Sequence, residues 1–331
     1  MNKREGIGPR GGAVANPLAA ACYADHARQY QVVVSEQVQL ATDTYRLRFD
    51  CPELASTILP GQFFMMRLTE CGSSMNRPMM GPLLGRPFAL YDTVLDGGLE
   101  DGGLEDGGLG NGGLDSAGQP VGIDVVYLVV GKLTGLLAQC RPGDRLDVWG
   151  PLGNGFSAEP VEHLIMVAGG IGQTPFLALG RQFLGGKSYG QPRRQVEAAA
   201  SVTLCYGVRR SDLLAGEDDF RNCGIDLRIS SDDGSVGRHG LVTELLQQAL
   251  DEKSSTNCRV ACCGPEPMME AVAEVALARD VPCEVSLETP MACGIGICFS
   301  CVAKTELPGG DWDYKRTCVD GPVFDATKIV W

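Results

Sequence analysis

Three cysteines fall within nine residues in "MACGIGICFSC", Met291 to Cys301, and a fourth follows in "YKRTCVDGPVF" at Cys318. The spacing is Cys293-x4-Cys298-x2-Cys301-x16-Cys318. Thiolates in a C-x4-C-x2-C run with a distant fourth partner form the plant-type [2Fe–2S] pattern, and the chemistry implied is electron transfer. Gly294 and Gly296 let backbone N–H groups approach the cluster sulfides, and Ile295, Ile297 and Phe299 stand where they could exclude water. Zinc is the main rival, but zinc sites generally pair thiols as C-x2-4-C twice, and the second pair is missing here. Inert buried thiols would leave four cysteines at a defined spacing among glycines unexplained.

A second chemistry is written in "AGGIGQTPF", Ala168 to Phe176. Gly169, Gly170 and Gly172 allow the backbone near a pyrophosphate, and the N-terminus of the helix that the turn opens supplies aligned N–H donors. The turn departs from the dinucleotide fingerprint, because Pro175 stands where the third glycine would be. An ordinary strand-to-helix turn is its competing reading. "CCGPEPMMEAV" repeats the arrangement, with Cys263, Gly264 and Pro265 between a strand and a helix. In "GRPFALYD", Arg86 beside Pro87 could pair with a diphosphate while the following backbone meets a planar ring edge. The turn-rich segments Gly131–Leu137 and Gly150–Phe156 could also approach a cofactor. His26, His163 and His239 show no metal or triad spacing and read as structural or solvated.

These residues need elements to hold them. From Tyr30, "YQVVVSEQVQL" and "TYRLRFD" alternate apolar and polar residues, and short strands broken by Gly and Pro continue to Phe156. That pattern predicts an antiparallel β-barrel over 30–156. Inside it, "DGGLEDGGLEDGGLGNGGLD" from Asp96 to Asp115 repeats every five residues with only four leucines to bury. Such a composition predicts a solvated insertion rather than a packed element. After Phe156, strands such as "EHLIMVAGG" and "CRVACCG" alternate with helical segments, which predicts a parallel α/β domain over 157–285. Residues 286–331 hold the cysteines and form a small third domain. Residues 1–29 read as a flexible extension, since Asn16 and Pro17 interrupt the apolar run that a signal peptide needs.

The 331 residues suffice for such a multidomain β plus α/β protein. A formal net charge of −13 excludes a nucleic-acid footprint and speaks against anionic membrane surfaces. No apolar run reaches the roughly 18–20 residues that span a bilayer. Most of the 14 cysteines sit singly in apolar stretches, which fits a reducing cytoplasm better than a disulfide scaffold.

"RPFAL", "GPLGNGF", "GGIGQTP", "CGPEPM", the cysteine loop and "YKRTCVDGPVF" together resemble the ferredoxin-reductase superfamily. Within it they look most like the electron-transfer subunits of NAD-dependent dihydroorotate dehydrogenase B. The resemblance implies FAD in the barrel, NAD on the α/β domain and a [2Fe–2S] cluster held by Cys293, Cys298, Cys301 and Cys318. It places FAD against Arg86, Pro87, Phe88, Ala89, Val126, Tyr127, Leu128, Leu133 and Thr134. NAD would face Gly169, Gly170, Gly172, Thr174, Cys263, Gly264 and Pro265. It further implies an FMN-containing catalytic subunit as partner, in a heterotetramer, that oxidises dihydroorotate in pyrimidine biosynthesis. Electrons would pass through the cluster to FAD and then to NAD. Two positions depart from the pattern: Ala89 stands where the family usually has serine, and "GKLT" puts Leu133 in place of the second glycine of "GxGT". A subunit of a ferredoxin:NADP oxidoreductase or sulfide dehydrogenase shares the same three modules, and a non-catalytic iron–sulfur or zinc scaffold is the contrasting class.

Overall fold

A computed structural model describes residues 24–69, 84–96, 118–253 and 257–331. The first sheet comprises β1 (Arg28–Ala41), β2 (Thr44–Asp50), β3 (Phe63–Leu68), β4 (Arg86–Ala89), β5 (Asp92–Leu95), β6 (Pro120–Leu128) and β7 (Arg145–Leu152). Its order is β4-β3-β7-β1-β2-β6-β5, and every pairing is antiparallel. Residues 86–95 pair first with β3 and then with β6, so this one stretch joins the two ends of the sheet. The barrel interior is filled by alternate residues, among them Val32, Val34, Leu47, Phe49, Phe64, Met66, Ile123, Val125, Leu146 and Val148. Two short helices, α1 (Pro52–Thr57) and α2 (Lys132–Leu137), add Leu54, Leu133 and Leu137 to that core.

The first four residues of β3, Phe63–Met66, are all apolar because both faces of the strand are covered there. Phe64 and Met66 point into the barrel, while Phe63 and Met65 lie in a separate cluster with Cys301, Cys318, Met291 and Val319. The barrel's outer surface is therefore the floor of the cysteine region. Ala24, which opens a 3-10 turn at Ala24–His26, and Ala27, which follows it, lie in the segment read as extension and pack at the edge of the same cluster.

The second sheet holds β8 (His163–Gly169), β9 (Ser201–Val208), β10 (Asp226–Ser231), β11 (Arg238–His239), β12 (Cys258–Cys263), β13 (Cys283–Ser286) and β16 (Val323–Asp325). The order β11-β10-β9-β8-β12-β13-β16 is parallel up to β13. β16 then adds an antiparallel edge, so the last residues of the chain complete this sheet. β8 is buried on both sides: Leu164, Met166 and Ala168 face α3 (Phe176–Phe183) and α4 (Glu217–Asn222), and Ile165 and Val167 face α5 (Val242–Glu252) and α6 (Glu266–Leu277). Between β13 and β16 the chain forms the cysteine loop and a two-stranded hairpin, β14 (Val302–Glu306) with β15 (Trp312–Arg316). No helix among the described residues is long and apolar enough to cross a membrane.

The repeat lies outside the described residues apart from Asp96. Its flanks are hydrogen-bonded to each other: Asp96 N–H donates to Gln119 O at 2.8 Å, and Gln119 N–H to Asp96 Oδ1 at 2.5 Å. The chain thus leaves and re-enters the barrel at one place. Deleting 97–117 and joining the ends by a short turn should leave flavin content and the unfolding midpoint nearly unchanged. Loop length alters closure entropy by only about 0.6 kcal/mol per doubling. Loss of flavin from the deletion variant, read from its absorbance, would show that the segment packs on the barrel.

Candidate functional site

The cysteine loop is turned inward by three residues in the left-handed region: Gly294 (φ 72°), Gly296 (φ 82°) and Phe299 (φ 56°). At Gly294 the turn is pressed onto the barrel, and a Cβ there would lie 2.5 Å from Met65 Cγ. The carbonyl of Gly296 accepts a 2.9 Å bond from Arg316 Nη1, whose guanidinium also sits 5.2 Å from the Phe299 ring. Thr317 fixes the other end, donating its N–H (2.7 Å) and hydroxyl (3.1 Å) to Cys301 O.

Cys301 and Cys318 share a hydrogen bond with their sulfurs 3.1 Å apart, Cys298 Sγ lies 3.1 Å from Ser300 Oγ, and Cys293 Sγ accepts from Ile295 N–H at 3.4 Å. Among the described residues no three such ligands converge as they would around one ion. The C-x4-C-x2-C spacing with a distant fourth cysteine suits a dinuclear centre, in which each iron takes two thiolates, better than a tetrahedral zinc. Proton loss is also favoured at two of the four thiols. Cys298 is lowered to about 6 by its hydrogen bonds with Ser300, and Cys301 to about 6 by its bond with Cys318. Cys318 moves up correspondingly, because it keeps the shared proton. Thiolates are the ligand form, so this donor set fits the centre.

Burial is uneven across the loop. Cys301 and Cys318 are buried, whereas Cys298 is exposed. Ile297 and Phe299, placed on sequence grounds to exclude water, instead project outward at 65% and 59% exposure. Only Ile295 turns toward the apolar floor. The reason is local: the positive φ at Phe299 and the contact with Arg316 carry its ring over the outside of the turn.

The two glycine turns meet at the point where the parallel sheet changes direction, between β8 and β12, the usual crevice of open α/β sheets. Gly169 and Gly172 are packing positions: added Cβ atoms would lie 2.6 Å from Met268 Sδ and 2.3 Å from Cys263 O. Gly264 (φ 155°) closes against Gly169 from the opposite side. Gly170, at φ 54°, has nothing within 4 Å, and it is here that the backbone is open to a phosphate. Thr174 is buried and Pro175 follows it into α3, where the ring's fixed φ suits a helix start. Cys263 is also buried, and Pro265 precedes α6.

The flavin candidates lie together on β4, the end of β6 and α2. Phe88 and Tyr127 meet edge to face at 5.9 Å in the barrel core, where Leu133 joins them. Thr134 uses its hydroxyl to cap its own helix, accepting from Val130 and Gly131 N–H and donating to Gly131 O. Side-chain access to a flavin therefore rests with Arg86, Pro87 and Ala89. Arg86 is exposed and bonds only the carbonyls of Leu84 and Gly85 among the described residues. Val126 and Leu128 flank Tyr127, with Val126 facing the α/β core. The 3-10 turn Gly170–Gln173 rests against β6, so the flavin and nucleotide candidates are neighbours.

Sequence reasoning missed Arg316, Thr317 and Trp149, which hold the loop, and Asp92, which joins the two sheets. For Arg316 and Thr317 the signal was present in "YKRTC", beside the fourth cysteine.

Comparison with known proteins agrees with this geometry. The iron-sulfur cluster binding domain of dihydroorotate dehydrogenase B matches residues 288–330, and the oxidoreductase NAD-binding domain matches 166–274. The electron transfer subunit of dihydroorotate dehydrogenase B (NAD(+)) from Desulforamulus reducens is 32% identical over 88% of this chain and 94% of its own length. Its counterpart from Geobacillus thermodenitrificans is 32% identical over 92% of this chain and 98% of its own. A solved NADH-dependent reduced ferredoxin-NADP oxidoreductase superposes with a TM-score of 0.67 at 26% identity, covering 91% of this chain and 90% of that one. The cytochrome b5 reductase domain of Ulva prolifera nitrate reductase shares the fold, with a TM-score of 0.52 at 15% identity over 80% of this chain and 96% of that one. With the cysteine loop seated on a flavin-type barrel and a glycine turn at the sheet's switch point, the chain belongs to the family of dihydroorotate dehydrogenase B electron transfer subunits.

Proposed function

We propose that this oxidoreductase subunit takes electrons at the cysteine loop and delivers them to NAD at the Gly170 turn. When bound, the iron–sulfur centre would supply one-electron exchange, and the flavin would couple it to the two-electron chemistry of NAD. Cys293, Cys298, Cys301 and Cys318 would hold the centre. Arg86, Pro87, Ala89 and the backbone of Val126–Leu128 and Leu133–Thr134 would hold FAD. Gly170 and the exposed Pro265 would face the nucleotide, while Gly169, Gly172 and Gly264 close the two turns on each other and Thr174 and Cys263 are buried. The working units are the barrel over 30–156, the nucleotide domain over 157–285 and the cluster segment over 286–331, which lends β16 to its neighbour.

One observation carries this reading. β4 pairs with β3, which floors the cysteine loop, and packs beside β6, on which the nucleotide turn rests. The flavin strand thus stands between the other two sites.

The partner would be an FMN-containing catalytic subunit that oxidises dihydroorotate in pyrimidine biosynthesis, in a cytoplasmic heterotetramer. Exposed Cys298, with Ile297 and Phe299 beside it, is the face that would meet it. The likeness to the ferredoxin-NADP oxidoreductase supports a second reading, in which ferredoxin takes the partner's place. Anaerobic co-expression with the FMN subunit separates the two. Co-purification and dihydroorotate-dependent reduction of NAD are expected. Failure to associate, with NADH-dependent reduction of ferredoxin instead, would favour the second reading.

A further inference from the structure

Along β7, Leu146 and Val148 fill the barrel, and Trp149 takes the opposite face. An outward indole on a barrel ordinarily meets water. This one is partly buried against the cluster of Phe63, Met65 and Leu152 with the cysteine loop. Its Nε1–H donates to the carbonyl of Cys293 at 3.0 Å. The far edge of the same ring fills the space over Gly85, where a Cβ would lie 2.3 Å from Cη2. Gly85 immediately precedes Arg86 and Pro87, the start of the flavin strand. Across the sheet Trp149 stands opposite Met65, and Met65 opposite Pro87. Gly294 closes on Met65 from above. One rigid ring therefore touches both the first cysteine's peptide and the residue before the flavin strand.

We infer that Trp149 is a positioning residue that fixes the Cys293 end of the loop relative to β4, and so sets electron exchange between the iron–sulfur centre and the flavin. The inference rests on the electron-transfer reading above. A partly buried indole N–H needs an acceptor, and here the acceptor is the carbonyl of a ligand residue. Partners of that kind orient metal ligands and tune the metal they hold. In the exchange one electron leaves the centre as one enters the flavin, with no other reactant required.

Trp149→Phe keeps a ring over Gly85 and removes the bond to Cys293. In the full chain, iron, labile sulfide and FAD should stay at wild-type levels, and NADH should reduce the flavin at the wild-type rate. The EPR spectrum of the dithionite-reduced centre should shift or broaden. Equilibration between flavin and centre after a rapid NADH pulse should slow by up to about fivefold, the population change that one net hydrogen bond controls. Gly85→Ala pushes on the ring from the flavin side and should move the same two readouts if the Phe variant does not accumulate. An unchanged spectrum and an unchanged equilibration rate in the variants would overturn the inference. A flavin that NADH does not reduce in the wild-type protein would instead sink the reading beneath it.

Discussion

Cys298→Ser should give a protein that keeps its flavin and loses its iron. The substituted thiol is exposed, so the change removes one of four ligands without opening a hole in the core. Iron and acid-labile sulfide should fall from about two of each per chain to background. The visible absorbance should become that of flavin alone, and the reduced EPR signal should vanish. Transfer of electrons from the partner subunit should drop to the assay floor, while NADH still reduces the flavin, because β4, β6 and the Gly170 turn are untouched. Cys318→Ser should lose the centre too, and it should also lower the unfolding midpoint. Cys318 is buried in the cluster that joins Phe63, Met65 and Leu152 to the loop. Stoichiometric zinc in place of iron in the wild-type protein, measured by elemental analysis after anaerobic purification, would contradict the assignment.

The four cysteines proposed as ligands stood out in the sequence because three of them lie in one short loop, where spacing stands in for geometry. The barrel and the parallel sheet were legible for a similar reason, since alternation and strand–helix order are local signals. The glycines were read only in part. The sequence shows that Gly169, Gly170 and Gly172 permit close approach, but not what approaches. At Gly169 and Gly172 it is Met268, Pro265 and Cys263, and only Gly170 is open. β16 was missed because three residues carry no period, and its place depends on pairing with β13. The double burial of β3 looked like an ordinary strand, since the cysteine loop that covers its outer face comes more than 200 residues later. Trp149 gave no sign at all. Its acceptor is 144 residues away, and an isolated tryptophan in a strand reads as packing.

Asp92→Asn should be the most destabilising single change at the junction of the two sheets. Asp92 opens β5, just beyond the flavin strand, and is 4% exposed. Its carboxylate accepts from Arg181 Nη1 (2.7 Å), Lys187 Nζ (2.8 Å) and Tyr189 OH (2.7 Å), all from the nucleotide domain. Neighbouring contacts run the same way, with Ala178 N–H on Tyr91 O at 3.1 Å and Tyr91 OH on Asp219 at 2.6 Å. Removing the charge leaves the Lys187 ammonium, itself 9% exposed, facing a neutral amide. Breaking a buried ion pair at one partner costs about 3–5 kcal/mol. The apparent unfolding midpoint should fall by roughly 10 °C, at about 2–4 °C per kcal/mol for a domain of this size. Burial alone would raise the Asp92 pKa, but the charges of Lys187 and Arg181 and the bonds from Lys187 and Tyr189 outweigh it and hold the group below its ordinary 3.8. A folded pKa below the unfolded one stabilises fully above the unfolded value and is lost as pH falls through the folded one. The difference between wild type and variant, followed by thermal unfolding, should therefore be flat from pH 8 to about 5 and shrink below about 4. A gap that persists undiminished below that range would mean that the aspartate acts there through shape and neutral hydrogen bonds, not through its charge.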